Sequence, residues 1–177
     1  KGVYARLDTF LETIISHVWY QTTVATLSRH ARTLIEEAFE KSVDQDAFWK
    51  LDSRLHDFGF RGCTCPEQAM LGGTAHLLNF RGSDTVNAAF YAQFHLNYGV
   101  PVAESIPATE HSVMTAWPTE DGKETAAVRH MIEKYGDSVF ATVADSYNYQ
   151  KFLNEIVPSM VDLKNSKGGF WVIRPDS

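Results

Sequence analysis

Short apolar runs, each ending on a polar knot, alternate with helical segments along most of this chain, and that alternation restricts the fold more than any other feature. LLNF leads into RGSDT, ESIPA into TEHS, VFATV into ADSY and FWVI into RPDS. The runs near Phe58, Phe80, Ile106, Val143 and Val172 recur about every 30 residues, the length of one βα unit. Between them lie PEQAMLGGTAHLL, DTVNAAFYAQFHLNYG, EDGKETAAVRHMIEKYG and NYQKFLNEIVPSMVDL, each amphipathic, with Gly99 and Gly136 as helix stops. The pattern predicts an α/β fold, part of a (β/α) barrel-like domain with parallel strands. In such folds the loops at the carboxyl ends of the strands build one shared site. That rule places Arg81, Asp84, Glu110, His111, Asp145, Arg174 and Asp176 at one mouth, and RLHDFGFRG adds His56, Asp57, Phe58 and Arg61 to its rim.

The beginning of the chain follows a different rhythm. From Leu7 to Val43 apolar residues recur at helical spacing, including Phe10, Ile14, Val18, Leu27, Leu34 and Phe39. Two helices or one long bent helix fit, with the β-branched stretch Thr22–Thr26 as the weak point. A polar stretch, SVDQDAFWK, follows. The expected organisation is a helical segment over residues 1–52 and a partial barrel-like domain over 53–177. A closed barrel has about eight strands, and no crossover follows the final run IRPDS, so the chain reads as a piece of a longer protein.

Composition narrows the function classes. At 44% hydrophobic and 12% aromatic, the 177 residues suffice for a sizeable core. A formal charge of -6 leaves no basic surface for a phosphate backbone, which argues against nucleic-acid binding and assigns any phosphate to local arginines. No apolar stretch approaches the roughly 18 residues of a membrane span, and KGVYARLDTF lacks a signal-peptide pattern, so a cytoplasmic protein without membrane partners is expected. Cys63 and Cys65 are too close for an easy disulfide and too few for zinc; they read as free thiols. Trp19, Trp49, Trp117 and Trp171 read as packing, and His17, His30, His76, His95 and His130 show no metal-ligand spacing.

Each polar knot carries a plain reading beside a chemical one. Ser83 or Asp84 can cap a helix beginning at Thr85 or Val86, or Asp84 can accept a hydrogen bond from a ligand amide. His111, beside Glu110, is either solvated or a base, nucleophile or phosphate acceptor. Asp145 and Asp176 directly follow apolar runs and can serve ribose hydroxyls or Mg²⁺ held through water, or merely cap helices. Arg61 and Arg174 suit phosphate or pyrophosphate, or a salt bridge to those aspartates. Phe58 offers a flat face to a planar ring, or packs. An acidic rim, two arginines and a flat aromatic suit a substrate joining phosphates, a ribose and a planar ring. One coherent chemistry is glycosyl transfer at ribose C1, with cationic stabilisation of a departing pyrophosphate.

The motifs LETIISHVWYQTTVAT, RLHDFGFRG, GTAHLLNFRGSDT, SIPATEHSVMTAW, ADSY and IRPDS, in this order, make the chain resemble the nicotinamide phosphoribosyltransferases, which are type II phosphoribosyltransferases. The resemblance covers nearly the whole chain. It implies that Phe58 stacks on nicotinamide, that Arg61 lies near the phosphoribosyl and pyrophosphate groups, and that Asp84 accepts the carboxamide NH₂. It implies also that Ser105 belongs to the base pocket, and that His111 becomes phosphorylated when ATP hydrolysis is coupled to synthesis. Asp145 then falls in the phosphoribosyl and magnesium region, Arg174 near base and phosphates, and Asp176 on the ribose hydroxyls. Mg²⁺ near Asp145, ATP as a coupling substrate and a homodimer sharing its active sites come with the same resemblance.

Departures from the family pattern are Gln21 in place of a usual proline, Phe60 in place of a common tyrosine, and the cysteines in a loop that is usually serine-rich. The family's N-terminal region and its later glycine-rich phosphate loops have no counterpart in this chain. A nicotinate-using relative and a non-catalytic binding or dimerisation fragment of the same fold are the alternatives.

Overall fold

The computed structural model describes residue 2, residues 4–120 and residues 122–176. They form two compact units, Lys1–Ser105 and Ile106–Ser177.

The first unit is built on α1, Asp8–Ser42, a single continuous helix preceded by a 3₁₀ turn. Of the two arrangements the spacing allowed, the structure takes the unbroken one. The threonines expected to weaken it turn their hydroxyls inward along the helix: Thr22 Oγ1 donates to Val18 O and Thr26 Oγ1 to Thr22 O, both at 2.8 Å. Phe10, Ile14 and Ile15 stand exposed on α1, as does Trp19 at 54%, and Trp49 is 70% exposed. These two tryptophans therefore do not pack as expected, whereas Trp117 and Trp171 lie against the core of the second unit.

After a 3₁₀ stretch at Gln45–Ser53, the chain forms a 3₁₀ turn at Gly59–Gly62, then α2 at Pro66–His76 and α3 at Val86–Tyr91, which runs on into a π-helical turn at Ala92–Leu96. Pro66 starts α2 where its missing N–H costs nothing. The apolar runs of this unit do not become full strands. LLNF continues the helical bonding instead, with Leu77 N–H donating to Gly73 O and Phe80 N–H to His76 O. Parallel pairing is confined to single bridges, Asp57 with Ser83 and Gly82 with Glu104.

α2 is the centre of this unit because it carries two glycines where its neighbours come closest. A Cβ at Gly72 would lie 2.7 Å from the Tyr20 ring, and one at Gly73 would lie 2.5 Å from Ala88 Cβ and 2.9 Å from Asp57 Oδ2. His76, at the end of α2, is buried and ties three segments together. Its Nε2 lies 3.1 Å from both Leu55 O and Gly82 O. Since carbonyls only accept, Nε2 carries the proton and Nδ1 accepts from Ser28 Oγ at 3.2 Å.

The second unit contains α4 at His111–Thr115, α5 at Glu124–Tyr135, β1 at Val139–Val143, α6 at Tyr149–Lys151, a π-helical turn at Phe152–Ile156, α7 at Val157–Asn165 and β2 at Phe170–Arg174. β1 and β2 pair in parallel, from Val139 opposite Phe170 to Val143 opposite Arg174. The run ESIPA adds only a bridge, Ala108 with Ala141, because Pro107 has no N–H to continue a ladder. β1 is buried on both faces after Val139, as expected for a parallel strand covered by helices. Phe140, Phe152, Ile132, Val128, Met114 and Met160 form the core; each such side chain contributes about 1.5–3 kcal/mol by leaving water.

The described architecture is thus mixed α/β with a two-stranded parallel sheet. Gly73→Ala is expected to destabilise the chain by about 1–3 kcal/mol through overpacking against Ala88 and Asp57, despite the better helix propensity of alanine. Denaturant titration measures it, and an unchanged or raised midpoint would show that the α2 seam yields to a methyl group.

Candidate active site

In the first unit, three runs place polar groups side by side. Asp57 N–H donates to Gly82 O at 3.1 Å, and Asp84 N–H donates to Asp57 O at 2.9 Å. Ser83 N–H donates to Glu104 O at 3.1 Å. These bonds bring Asp84 beside Ser105, whose hydroxyl donates to Asp84 Oδ1. Asp84 is not a helix cap: α3 begins after Thr85 with no side-chain cap, and Ser83 Oγ accepts the Thr85 N–H at 3.2 Å. The carboxylate is exposed and retains acceptor capacity for a ligand amide.

Phe58 lies between Asp57 and the Gly59–Gly62 turn that carries Arg61. The residue is 45% exposed, and its ring stacks on His56 with centroids 6.3 Å apart and an interplanar angle of 24°. His56 lies on the backbone of Gly82, where a Cβ would come within 2.5 Å of the imidazole. Arg61 is exposed and pairs with no carboxylate among the described residues. Arg81 is held by Glu104, at 3.5 Å, within the same set of runs.

Tyr20 backs this turn from α1. Its hydroxyl lies 3.5 Å from Cys63 Sγ, and the Cys63 thiol donates to Gly59 O at 3.2 Å. The Cys63 hydrogen bond, then burial and the charges of Cys63 and Asp57, push the phenol up to about 12. Both cysteines are free thiols.

In the second unit, the parallel register decides the site. Val143 opposite Arg174 puts Asp145 and Asp176 two residues beyond the paired ends, and Asp176 N–H donates to Asp145 Oδ2 at 3.1 Å. His111 opens α4 with Nε2 3.2 Å from Asp145 Oδ1 and Nδ1 3.9 Å from Asp176 Oδ2. In the neutral ring the proton sits on Nε2, facing the carboxylate, so that Nδ1 keeps its lone pair. Arg174 Nη2 lies 3.8 Å from Asp176 Oδ2 and donates to Thr109 O at 3.3 Å. The structure therefore gathers His111, Asp145, Arg174 and Asp176 into one network, and separately brings Asp84 to Ser105. Glu110 stays outside the network and accepts from the Ser112 hydroxyl.

Two residues of this neighbourhood carry no signal in sequence. Thr109 is buried, takes the Val143 N–H on its Oγ1 at 3.0 Å and presents its carbonyl to Arg174. The sole hint is its place just before the acidic knot. Glu124, in the first turn of α5, is 6% exposed with Oε1 lacking a partner among the described residues. Burial first, then repulsion from Asp145, raise its carboxyl to about 6, against an attraction by Lys151. Among the described residues, no three His, Cys, Asp or Glu side chains are grouped to hold a metal directly.

The sequence model of the nicotinate phosphoribosyltransferase family matches residues 53–177. The chain belongs to that family. It is 39% identical over 175 residues to a nicotinamide phosphoribosyltransferase of Xanthomonas campestris pv. campestris, covering 97% of this chain and 36% of the relative. It is 30% identical over 174 residues to one of Mycoplasma genitalium, covering 97% and 35%. It is 33% identical over 152 residues to one of Acinetobacter baylyi, covering 84% and 29%. The chain thus spans about a third of the length of these curated relatives.

Glu124 gives this family member a pH signature. Its folded value lies above the ordinary carboxylate value of 4.5, so the fold binds the extra proton. That contribution is complete below pH 4.5 and is lost as pH rises to about 6, at a cost of about 2 kcal/mol. Glu124→Gln is expected to gain stability relative to the parent chain between pH 4.5 and pH 7, read by urea unfolding at both values; a pH-independent difference would contradict the assignment.

Proposed function

We propose that the whole protein transfers the phosphoribosyl group of phosphoribosyl pyrophosphate to nicotinamide, giving nicotinamide mononucleotide and pyrophosphate in NAD salvage. The observation that carries this reading is the exposed Asp84 carboxylate, fixed by Ser105 and by the Asp57 carbonyl on the runs that present Phe58. An ionised carboxylate accepts an N–H of a carboxamide and repels a carboxylate, whose charge at about 4 Å costs about 1–4 kcal/mol near a protein surface. Nicotinamide is therefore the preferred base, with Phe58 as its stacking face.

The pyridine nitrogen forms the bond to ribose C1 while the bond from C1 to the pyrophosphate oxygen breaks, its electron pair leaving with pyrophosphate. Neutral nicotinamide becomes a pyridinium, and no proton changes hands. Arg61 and Arg174 take the phosphates, Asp176 the ribose hydroxyls, and Asp145 with Asp176 favours positive charge developing on the sugar. Mg²⁺ suits a place near Asp145 held through water and pyrophosphate oxygens, because both aspartates are already engaged by His111 and Arg174 and the ion retains much of its hydration. His111 Nδ1 takes the γ-phosphoryl group of ATP as the bond from that phosphorus to the bridging oxygen breaks and ADP leaves with its electron pair, Asp145 orienting the ring through Nε2. The barrel-like catalytic domain over 53–177, the helical segment over 1–52, the homodimer and the cytoplasmic location belong to the same reading. Parallel pairing of successive runs within each unit supports the barrel.

A nicotinate-specific enzyme is the second reading, favoured by the description of the matching family. Product formation by the full-length protein with phosphoribosyl pyrophosphate, Mg²⁺ and either base, resolved by chromatography, separates the two. Nicotinamide mononucleotide is expected; product from nicotinate alone would reverse the assignment, and none from either would favour a non-catalytic binding role. Asp84→Asn is expected to raise the nicotinate to nicotinamide ratio of kcat/KM by about 10–100-fold, and an unchanged ratio would remove Asp84 from base selection. With ATP and Mg²⁺, intact-mass analysis should find an acid-labile phosphate that His111→Ala abolishes. ATP hydrolysis without that adduct would take His111 out of the phosphate-acceptor role.

A further inference from the structure

We propose that Asp57 is a positioning residue for base binding, its carboxylate fixing the main chain of Phe58 and so the plane on which the base stacks. This rests on the phosphoribosyltransferase reading and adds to it a side chain that the reading does not use. Asp57 Oδ1 accepts the Gly59 N–H at 2.7 Å, closing an Asx turn around Phe58 itself. Phe58 has φ -112° and ψ 22°, belonging to neither helix nor strand. Its ring rests on His56, and the Asp57 carboxylate holds the main chain that carries it.

The carboxylate is seated between two glycines. A Cβ at Gly59 would lie 2.8 Å from Oδ1, and one at Gly73 would lie 2.9 Å from Oδ2. One oxygen thus closes the turn while the other rests on α2, the most closely packed helix of the unit. The main chain of the same residue serves a separate purpose, its N–H bonding Gly82 O and its carbonyl taking the Asp84 N–H. Side-chain substitution leaves those main-chain bonds available, so the pitch of Phe58 separates from the placement of Asp84. Loss of the carboxylate is therefore a loss of stacking without a loss of base selection.

Steady-state kinetics of the full-length protein with nicotinamide and nicotinate test this. Asp57→Ala is expected to raise KM for nicotinamide about tenfold, with kcat and the nicotinamide to nicotinate preference within about threefold of the parent. Asp57→Asn retains an oxygen acceptor for the Gly59 N–H and is expected to keep KM within about threefold. A purely structural role would lower kcat through loss of folded enzyme at unchanged KM, and that pattern overturns the proposal. So does a tenfold KM rise in Asp57→Asn, which would assign the effect to charge; this variant preserves shape and serves even where Asp57→Ala does not fold. A parent enzyme that makes no product from nicotinamide overturns the functional reading and this role together, whereas an active parent with unchanged KM in Asp57→Ala overturns the role alone.

Discussion

The strand-like runs of this chain are too short to satisfy their own backbone, and buried side chains complete the bonding that a full ladder would supply. An unpaired backbone group away from water costs about as much as a lost hydrogen bond. In the first unit His76 meets the requirement by giving one N–H to two carbonyls, Leu55 O and Gly82 O. In the second, Thr109 takes the Val143 N–H and offers its own carbonyl to Arg174. His76 secures the runs bearing Asp57 and Asp84, and Thr109 secures those bearing Asp145 and Arg174.

The two units hold their functional groups by different physics. Asp84 is placed by main-chain bonds and a neutral hydroxyl, an arrangement that sets direction with little charge coupling. His111, Asp145, Arg174 and Asp176 are placed by one another, so the displacement of any one disturbs the others. Recognition of a neutral amide calls for the first arrangement. Handling of phosphates and of positive charge developing on a sugar calls for the second, where cation and anion sit within a few ångströms. Glu124 lies beside this network: burial first, and the Asp145 charge second, make its carboxyl easier to protonate.

Helices and the existence of βα alternation were legible because they depend on apolar spacing that each segment carries by itself. The amphipathic segments after Pro66 and around Glu124–Tyr135 became α2 and α5. The strands were legible only where a run met a partner of equal length, as β1 and β2 do. At LLNF the helical bonds of α2 extended further than the β-like composition implied, and at ESIPA a proline ended the ladder. The resemblance named candidate site residues, but apolar spacing gives no sign of which of them touch. Contact between Asp145 and Asp176 follows from strand register, and contact between Ser105 and Asp84 from a bridge around Glu104. The burial of Glu124 and Thr109 depends on packing against segments distant in sequence, which a lone acidic or hydroxylic residue does not announce.

Glycine placement explains how such a site is kept specific without long strands. At Gly72, Gly73 and Gly82 the missing Cβ admits Tyr20, Asp57 and His56 respectively, side chains that brace the polar knots. Each is a contact that any larger residue would push apart, and each lies one step behind a residue of the candidate site. Tyr20 backs the turn that carries Arg61, Asp57 closes the turn around Phe58, and His56 lies under the Phe58 ring. Main-chain proximity therefore takes the place of strand length: elements lie close enough for side chains to bond backbone atoms across the seam. The same logic predicts that enlargement at Gly72 or Gly82 damages ligand placement before it unfolds the chain, because the first atoms displaced there belong to Tyr20 and His56 rather than to the core, whereas at Gly73 the buried Ala88 is met first.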